Sequence, residues 1–451
     1  MRKKKNNKRF ETPRLNMKAA GIDIAASSDH YVAVSPECCP DNVRCFGHFT
    51  EDLHQLADWL LECGIETVAM ESTGVYWIPI YQVLEARGLE IFLVNSRHIK
   101  NVPGRKSDVQ DCQWLQYLHS VGLLRGSFRP KDEICALRSI QRHKDSLVKL
   151  ASSHTLRMQK SLDQMNIKLH YVISDITGES GLKIIKAILD GERDPLLLAK
   201  LKNHLIRASE TTIAKALVGD YRQEHLFTLR QSLSAYENYQ ILINECDEQM
   251  HKMMAKIDDN ELHQHPLPKP TKGKRDLKPL LRKEMYRLLG VDLTAINGIS
   301  SQTAYAFYTE VGPNLDKFRT EKHFTSWLGL CPGKEETAGK IKSSKTRKVA
   351  NRFSIKLRIA ASTLHHAKSD MGQYFRRMKT KLGAPKAITA TAAKIARIIY
   401  FMIKNKVPFD QTQFQKNEEL FLQRRIKNLK RNAAELGLKL IENEEAVVVV
   451  P

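Results

Sequence analysis

"AAGIDIA", residues 19–25, sets one carboxylate, Asp23, in a run that is otherwise small and apolar. Such a run reads as a buried strand, and an unpaired buried carboxylate is costly. Two more short strands follow, "HYVAVS" (30–35) and "VRCFGHF" (43–49), with turn residues between them. "TEDLHQLADWLLECG" is then an amphipathic helix with Thr50 as its cap. "IETVAM" (65–70) is an almost wholly apolar strand of the buried, central kind. A second helix, "VYWIPIYQVLEARG", ends at Gly88, and "LEIFLVN" (89–95) is another buried strand. The basic loop "SRHIKNVPGRK" leads to a last helix from Asp108, whose start carries Ser107 and Gln110 as an S-x-x-Q capping box. Three strands, helix, strand, helix, strand, helix make a hairpin meander feeding a βαβ unit. The predicted fold is α/β, a mixed sheet with helices packed on it.

On that order the acids fall into a pattern. Asp23 is the only acid of the first strand, and Glu71 follows the last residue of the strand 65–70. Asp108 and Asp111 share one face of the last helix's first turn. Acids in a first turn are common, because the helix dipole favours them there. Asp23 in an apolar strand and Glu71 beside "STG" have no such ordinary explanation. Sheet edge and helix start would bring four carboxylates together, and four like charges repel unless a cation lies among them. Hard divalent ions with oxygen ligands suit that set, Mg²⁺ above all when a phosphate completes its shell. Two such ions about 4 Å apart would stabilise the entering and leaving oxygens of a phosphoryl transfer.

The rest of the chain is different in kind. It has 451 residues, 42% of them hydrophobic, and its 72 Lys and Arg against 50 Asp and Glu leave +22. That excess calls for a polyanionic partner and says nothing of fold. Anionic membrane competes with nucleic acid for that role. No apolar run approaches the roughly 18 residues of a spanning helix, so no membrane is expected. The start, "MRKKKNNKRFETPR", lacks the apolar core of a signal peptide and reads as a basic flexible arm over 1–17. Cys38, Cys39, Cys45, Cys63, Cys112, Cys135, Cys246 and Cys331 have no metal-finger spacing and read as reduced thiols of a cytoplasmic protein. His263/His265 and His365/His366 lack ligand partners in sequence.

From residue 131 the strand signal disappears. Residues 135–169 read as a long helix, and Leu229, Tyr236, Ile243, Met250 and Ile257 repeat every seven residues in a second. An intramolecular helical hairpin and a dimeric coiled coil explain that seam equally well. "HQHPLPKPTKGKRDLKP" (263–279) reads as a linker. The expected divisions are an α/β domain over 18–130, a helical coiled-coil region over 131–262, a linker over 263–283, a helical basic domain over 284–410, and a charged helical tail over 411–451. "LTAINGISSQTAYAFYTEVG" (293–312) reads as helix, Asn297–Gly298 turn, helix, which either turns a phosphate toward Gly298 or merely reverses the chain. In "LGLCPGKEETAGKIKSSKTRKVANRFS", Lys340, Lys342, Lys345, Arg347, Lys348 and Arg352 are spaced too irregularly for an ion-pair ladder and fit a phosphate-contacting loop. Arg376 and Arg377 add to that surface.

The motifs "GIDIA", "MESTGVYW", "GRKSDVQDCQWLQYLHSVGLL" and "LGLCPG" resemble the DEDD transposases of bacterial insertion sequences, a family that includes bridge-RNA-guided recombinases. The resemblance implies a RuvC-like, ribonuclease-H-fold domain with catalytic, metal-holding acids at Asp23, Glu71, Asp108 and Asp111. It implies Mg²⁺, with Mn²⁺ as a substitute, as two ions when substrate is bound. Arg105 and Lys106 would hold a phosphate beside them. The family's nucleophilic serine falls on Thr337, a departure whose extra methyl restricts the rotamer, with Ser343 and Ser344 close by. The implied partners are donor and target DNA, a structured guide RNA, and further copies of the chain in a dimer or tetramer whose subunits share the site. Two rivals remain: a junction-resolving nuclease that uses the four acids alone, and a nucleic-acid-binding protein on an inactive nuclease fold. A covalent protein–DNA link separates the first reading from both.

Overall fold

A computed structural model describes residues 13–26, 28–72, 74–95, 107–257, 266–269, 279–333, 335–338, 340–343, 345–347, 349, 351–410, 423 and 426–438. The chain divides into two compact units, 1–129 and 130–451. Among the described residues no helix is long and apolar enough to cross a membrane.

The first unit has the expected element order: β1 (Ala19–Asp23), β2 (His30–Ala33), β3 (Val43–Phe46), α1 (Thr50–Glu62), β4 (Thr67–Glu71), α2 (Trp77–Ala86), β5 (Glu90–Val94) and α3 (Asp108–Ser120). The sheet order is β3-β2-β1-β4-β5, antiparallel across the first three strands and parallel from β1 through β4 to β5. One start signal was misplaced. Phe49, not Thr50, occupies the cap position of α1. The Asp52 carboxylate, three residues inside, accepts the Phe49 N–H at 3.0 Å. Residues 14–16 are also tied down rather than flexible: the Leu15 and Asn16 N–H groups donate to the Ser120 carbonyl, and Arg14 pairs with Glu37.

Alternation along the strands sorts the unit into two faces. Ile22, Val68, Met70 and Leu93 point to one face, where α1 and α2 cover them with Leu56, Leu60, Ile80 and Leu84. Each such side chain, when fully buried, is worth about 1.5–3 kcal/mol. The other face is lined by small residues, Ala19, Gly21 and Ala69, and α3 lies on it. A Cβ at Gly21 would sit under 3.0 Å from the backbone of both Cys112 and Gln116. The helix backbone therefore rests directly on the strand. Gln116 Nε2 donates to the Ala19 carbonyl at 3.2 Å, and His119 Nε2 meets Thr67 Oγ1 at 2.9 Å.

In the second unit, α4 (Asp132–Gln164) and α9 (Gln223–Ala255) are 33 residues each and lie antiparallel. Lys144 pairs with Asp247, His154 stacks near Tyr239 and Ser161 reaches Thr228. The seam residues Ile243 and Cys246 pack on Leu147 and Ala151 of α4. The heptads thus serve a hairpin within the chain. Between these helices, α5 (Leu169–Val172), α6 (Glu179–Leu189), α7 (Pro195–Ala199) and α8 (Glu210–Ala216) build a separate small core with both helix ends.

The C-terminal segment contains α10 (Pro279–Leu289), α11 (Ser301–Glu310), α12 (Glu321–Trp327), β6 (Glu335–Thr337), β7 (Lys340–Ser343), α13 (Arg352–Thr363), α14 (Asp370–Leu382) and α15 (Ala384–Asn405). The sequence predicts a helical domain here, and the β6–β7 hairpin corrects that expectation. Strands of three and four mostly polar residues are too short for alternation to reveal them. Nor is the 293–312 segment a pair of helices: its first arm is only a 3-10 turn, Leu293–Ala295. This segment joins the long hairpin in one unit. Arg138 donates to the Thr309 and Glu310 carbonyls, and Arg142 grips the Glu310 carboxylate with two N–H groups at 3.0 and 2.8 Å. Most of the expected linker 263–283 lies outside the described residues.

Gly21→Ala should cost at least about 3 kcal/mol, the upper range for overpacking, because backbone rather than a pliable side chain is in the way. Urea unfolding of the first unit, followed by Trp59 and Trp114 fluorescence, measures it; a cost under 1 kcal/mol would mean α3 does not rest on this strand.

Candidate active site

Asp23 closes β1 and Glu71 closes β4. The strands are parallel with Ile22 opposite Met70, so the next residue on each, Asp23 and Glu71, emerges side by side at the same sheet edge. By alternation both point to the face that α3 covers, with Gly21 and Ala69 two residues earlier on each strand. Contact of Cys112 and Gln116 with Gly21 fixes the height of α3 and brings its first turn to that edge. Ser107 caps this helix, its Oγ accepting the Gln110 N–H at 3.4 Å, which is the serine half of the expected capping box. Asp108 on the exposed first turn and half-buried Asp111 belong to that turn.

The charges register one another. The Asp23 carboxyl is pushed up to about 6, first by burial and then by the charges of Asp111, Asp108 and Glu71. The other three acids thus each lie near enough to act on Asp23. Among the described residues no three acids, histidines or cysteines close to coordinating distance around a single centre. Mg²⁺ is held by one or two carboxylates with the substrate's phosphates completing its shell, so a site for it does not require three protein ligands around one centre. An all-oxygen, anionic set fits a hard divalent ion.

Sequence reasoning missed what surrounds these acids. Cys112 is fully buried beside Asp23, and burial followed by the Asp23 charge pushes its thiol up to about 12. His119 is held down to about 4 by burial and is neutral, so its bond to Thr67 is structural. The available signal was the glycine two residues before Asp23, which only a close helix explains. Arg105 and Lys106 lie outside the described residues.

The second group of expected residues lies in the other unit. Thr337 ends β6 and pairs with Lys340 of β7, so it sits exposed at the tip of a β-hairpin with a two-residue turn. Ala338 in that turn has φ +51°, a conformation that disfavours a side chain and marks a tight reversal. Lys340, Lys342 and Lys345 are exposed on the same hairpin, and Ser343 Oγ accepts the Lys345 N–H at 3.2 Å. Arg347 donates to the Ser326 carbonyl and hydroxyl, and Arg352 pairs with Asp145 at 3.6 Å. Arg376 donates to two carbonyls, those of His365 and Ala367. Arg377 shares helix α14 with it. Gly298 has φ +86°, and a Cβ there would sit 2.9 Å from the Ala360 carbonyl, so close packing on α13 explains this glycine. Lys348 and Ser344 lie outside the described residues.

Residues 20–167 match a family model described as a transposase, of the DEDD IS110 type. Residues 292–376 match the model for transposases of the IS116/IS110/IS902 family. The two matches together span about half of the chain, and they include the four acids and Thr337. No curated protein matches the chain.

A carboxyl raised in the folded state stabilises the fold below its ordinary range, near 4, and that stability is lost as pH rises through about 6. Metal-free protein should therefore gain from Asp23→Asn at pH 7.5 and not at pH 4. Solvent screening of a half-buried group holds the gain to about 1 kcal/mol, a few degrees of melting temperature. Mg²⁺ should stabilise the native protein and not the variant. Equal melting shifts at pH 4 and 7.5 would show that the four charges do not interact.

Proposed function

Because the chain belongs to the IS110 family of DEDD transposases, enzymes that cut and rejoin DNA by phosphoryl transfer, we propose that Asp23, Glu71, Asp108 and Asp111 hold Mg²⁺ at the scissile phosphate and that Thr337 supplies the attacking hydroxyl. The observation that supports the acid half most directly is the displaced Asp23 carboxyl, which responds to the other three acids. Bound divalent ions, two with substrate in place, would neutralise the phosphate and its leaving oxygen. Thr337 Oγ1 would lose its proton and bond to phosphorus as a DNA oxygen leaves with a proton. A hydroxyl from another DNA end then attacks the phosphothreonyl bond, which restores Thr337 and exchanges strands. One phosphodiester replaces another at each step, so no external energy source is needed.

The exposed hairpin tip supports Thr337 as a group that reaches into a substrate, and Lys340 and Lys342 next to it suit a phosphate. Arg105, Lys106, Lys345, Arg347, Lys348, Arg352, Arg376 and Arg377 make up the proposed phosphate contacts, with Gly298 assigned to packing instead. The +22 excess supports a structured RNA, encoded by the element, as a second polyanion beside DNA. Exposed Leu156 on α4 and Phe227 and Ile241 on α9 support association of copies into a dimer or tetramer along the long helices.

A nicked suicide substrate that traps protein–DNA adducts tests this reading. Thr337→Ser should keep or raise adduct formation, and Thr337→Val should reduce it at least about 100-fold while DNA binding persists. Asp108→Ala should likewise abolish cleavage. Adducts on Thr337→Val that vanish on Ser343→Ala or Ser344→Ala would move the nucleophile to a serine. Cleavage that never yields an adduct would return the chain to four-acid hydrolysis.

A further inference from the structure

The 3-10 turn Leu364–His366 follows α13 and carries a histidine pair that the transposase reading does not use. Helix α14 begins hard against it. A Cβ at Gly372 would sit under 3.0 Å from the Ala367 carbonyl, and the Phe375 ring stands edge-on to His365 at 5.9 Å. Arg376 reaches back from α14 with Nη1 on the His365 and Ala367 carbonyls at 3.2 and 2.9 Å, leaving its Nε–H and Nη2 groups for another acceptor. Lys379 Nζ lies 2.9 Å from His365 Nε2, and His365 Nδ1 lies 3.0 Å from His366 Nε2.

That row of three basic groups has one consistent arrangement of protons. An ammonium can only donate, so His365 Nε2 accepts from Lys379. His365 then carries its proton on Nδ1 and donates it to His366 Nε2, and His366 carries its own on Nδ1. Both rings are neutral. A further proton on either accepting nitrogen would break the row. The groups acting on His365 are Lys379, His366 and Arg376, all cationic or basic, and they hold its titration below the usual range. The preceding α13 brings only uncharged Ser362 and Thr363 at this end. A lysine here is thus spent on a neutral acceptor, on a surface that also bears exposed Lys368 and Lys381 and, in the first turn of α14, half-buried Asp370.

We propose that His365, His366, Arg376 and Lys379 form a phosphodiester-binding site that takes up a proton when a nucleic-acid backbone docks. A phosphate oxygen is a far better acceptor for Lys379 than an imidazole, and it brings the negative charge that the cluster lacks. Once Lys379 turns to the phosphate, His365 Nε2 is released, takes a proton from solvent, and becomes a further donor to the same group. The row is a charge reserve: in the free protein it lowers the repulsion among four basic side chains, and on binding it adds a cation. The inference rests on the chain being a DNA-handling enzyme but not on the four acids or on Thr337.

Calorimetric titration of the full chain with a short DNA duplex, in two non-phosphate buffers of different ionisation enthalpy at pH 6.5, reads the proton count. The native protein should take up about one proton more than His365→Gln. Its affinity should gain up to about tenfold per unit fall in pH between 8 and 6, and the variant should lose that slope while binding within about threefold of native at pH 8. His366→Gln should keep most of the uptake, because His365 remains and the glutamine oxygen can accept its Nδ1–H. Lys379→Ala should weaken binding at every pH and lower the salt slope by about one. An RNA duplex in the same titration tells which backbone uses the site. Equal proton counts in native and His365→Gln with both duplexes would overturn the proposal. Loss of strand transfer with the proton uptake intact would instead count against the reading of the acids and Thr337.

Discussion

A strand without a side chain at one position carries the first unit. Gly21 lets the backbone of α3 lie on β1, and every feature of the acid cluster depends on that approach. A larger residue would lift the helix and separate Asp108 and Asp111 from the sheet edge that holds Asp23 and Glu71. The arrangement also carries a load. The charges of Asp111, Asp108 and Glu71 all act on Asp23, and the fold holds these acids in place with the positive end of the α3 dipole, a serine cap and the buried apolar face on the far side of the sheet. Stability on one face is thus set against like-charge repulsion on the other.

Much of this was legible in the sequence. The order of strands and helices followed from alternation and apolar runs, because β1, β4 and β5 are buried and must be apolar. Asp23 and Glu71 stood out as acids at places where burial should exclude them. The height of α3 was not legible, because it depends on backbone contact between residues 21, 112 and 116, which no local pattern encodes. Thr337 was read as part of a loop. The hairpin was hidden since its strands are too short and too charged for periodicity, and its turn uses Ala338 in a conformation usually left to glycine or asparagine. In the first unit the sequence places the cap of α1 one residue late, because Asp52 acts from inside the helix.

The heptads illustrate a different limit. A seam of apolar residues every seven positions states that a helix has a partner and leaves open which one. Here the partner is α4 of the same chain, and the Lys144–Asp247 pair and the Ser161–Thr228 contact fix their antiparallel register. Since Arg138 and Arg142 bind the end of α11, the hairpin and the basic segment behave as one body. Residues far apart in sequence, such as Asp145 and Arg352, then share one surface.

The two-residue step from Gly21 to Asp23 has a consequence for how such a chain can diverge. Point changes in β1 alter one contact at a time, but inserting or deleting one residue between the two would turn Asp23 to the α1 face and seat a carboxylate among Leu56, Leu60 and Met70. The parallel pairing of β1 with β4 imposes the same rule on Ala69 and Glu71. Length variation is therefore shut out of both strands, and it can accumulate in connections such as the one between β2 and β3, whose length does not set which way an acid points.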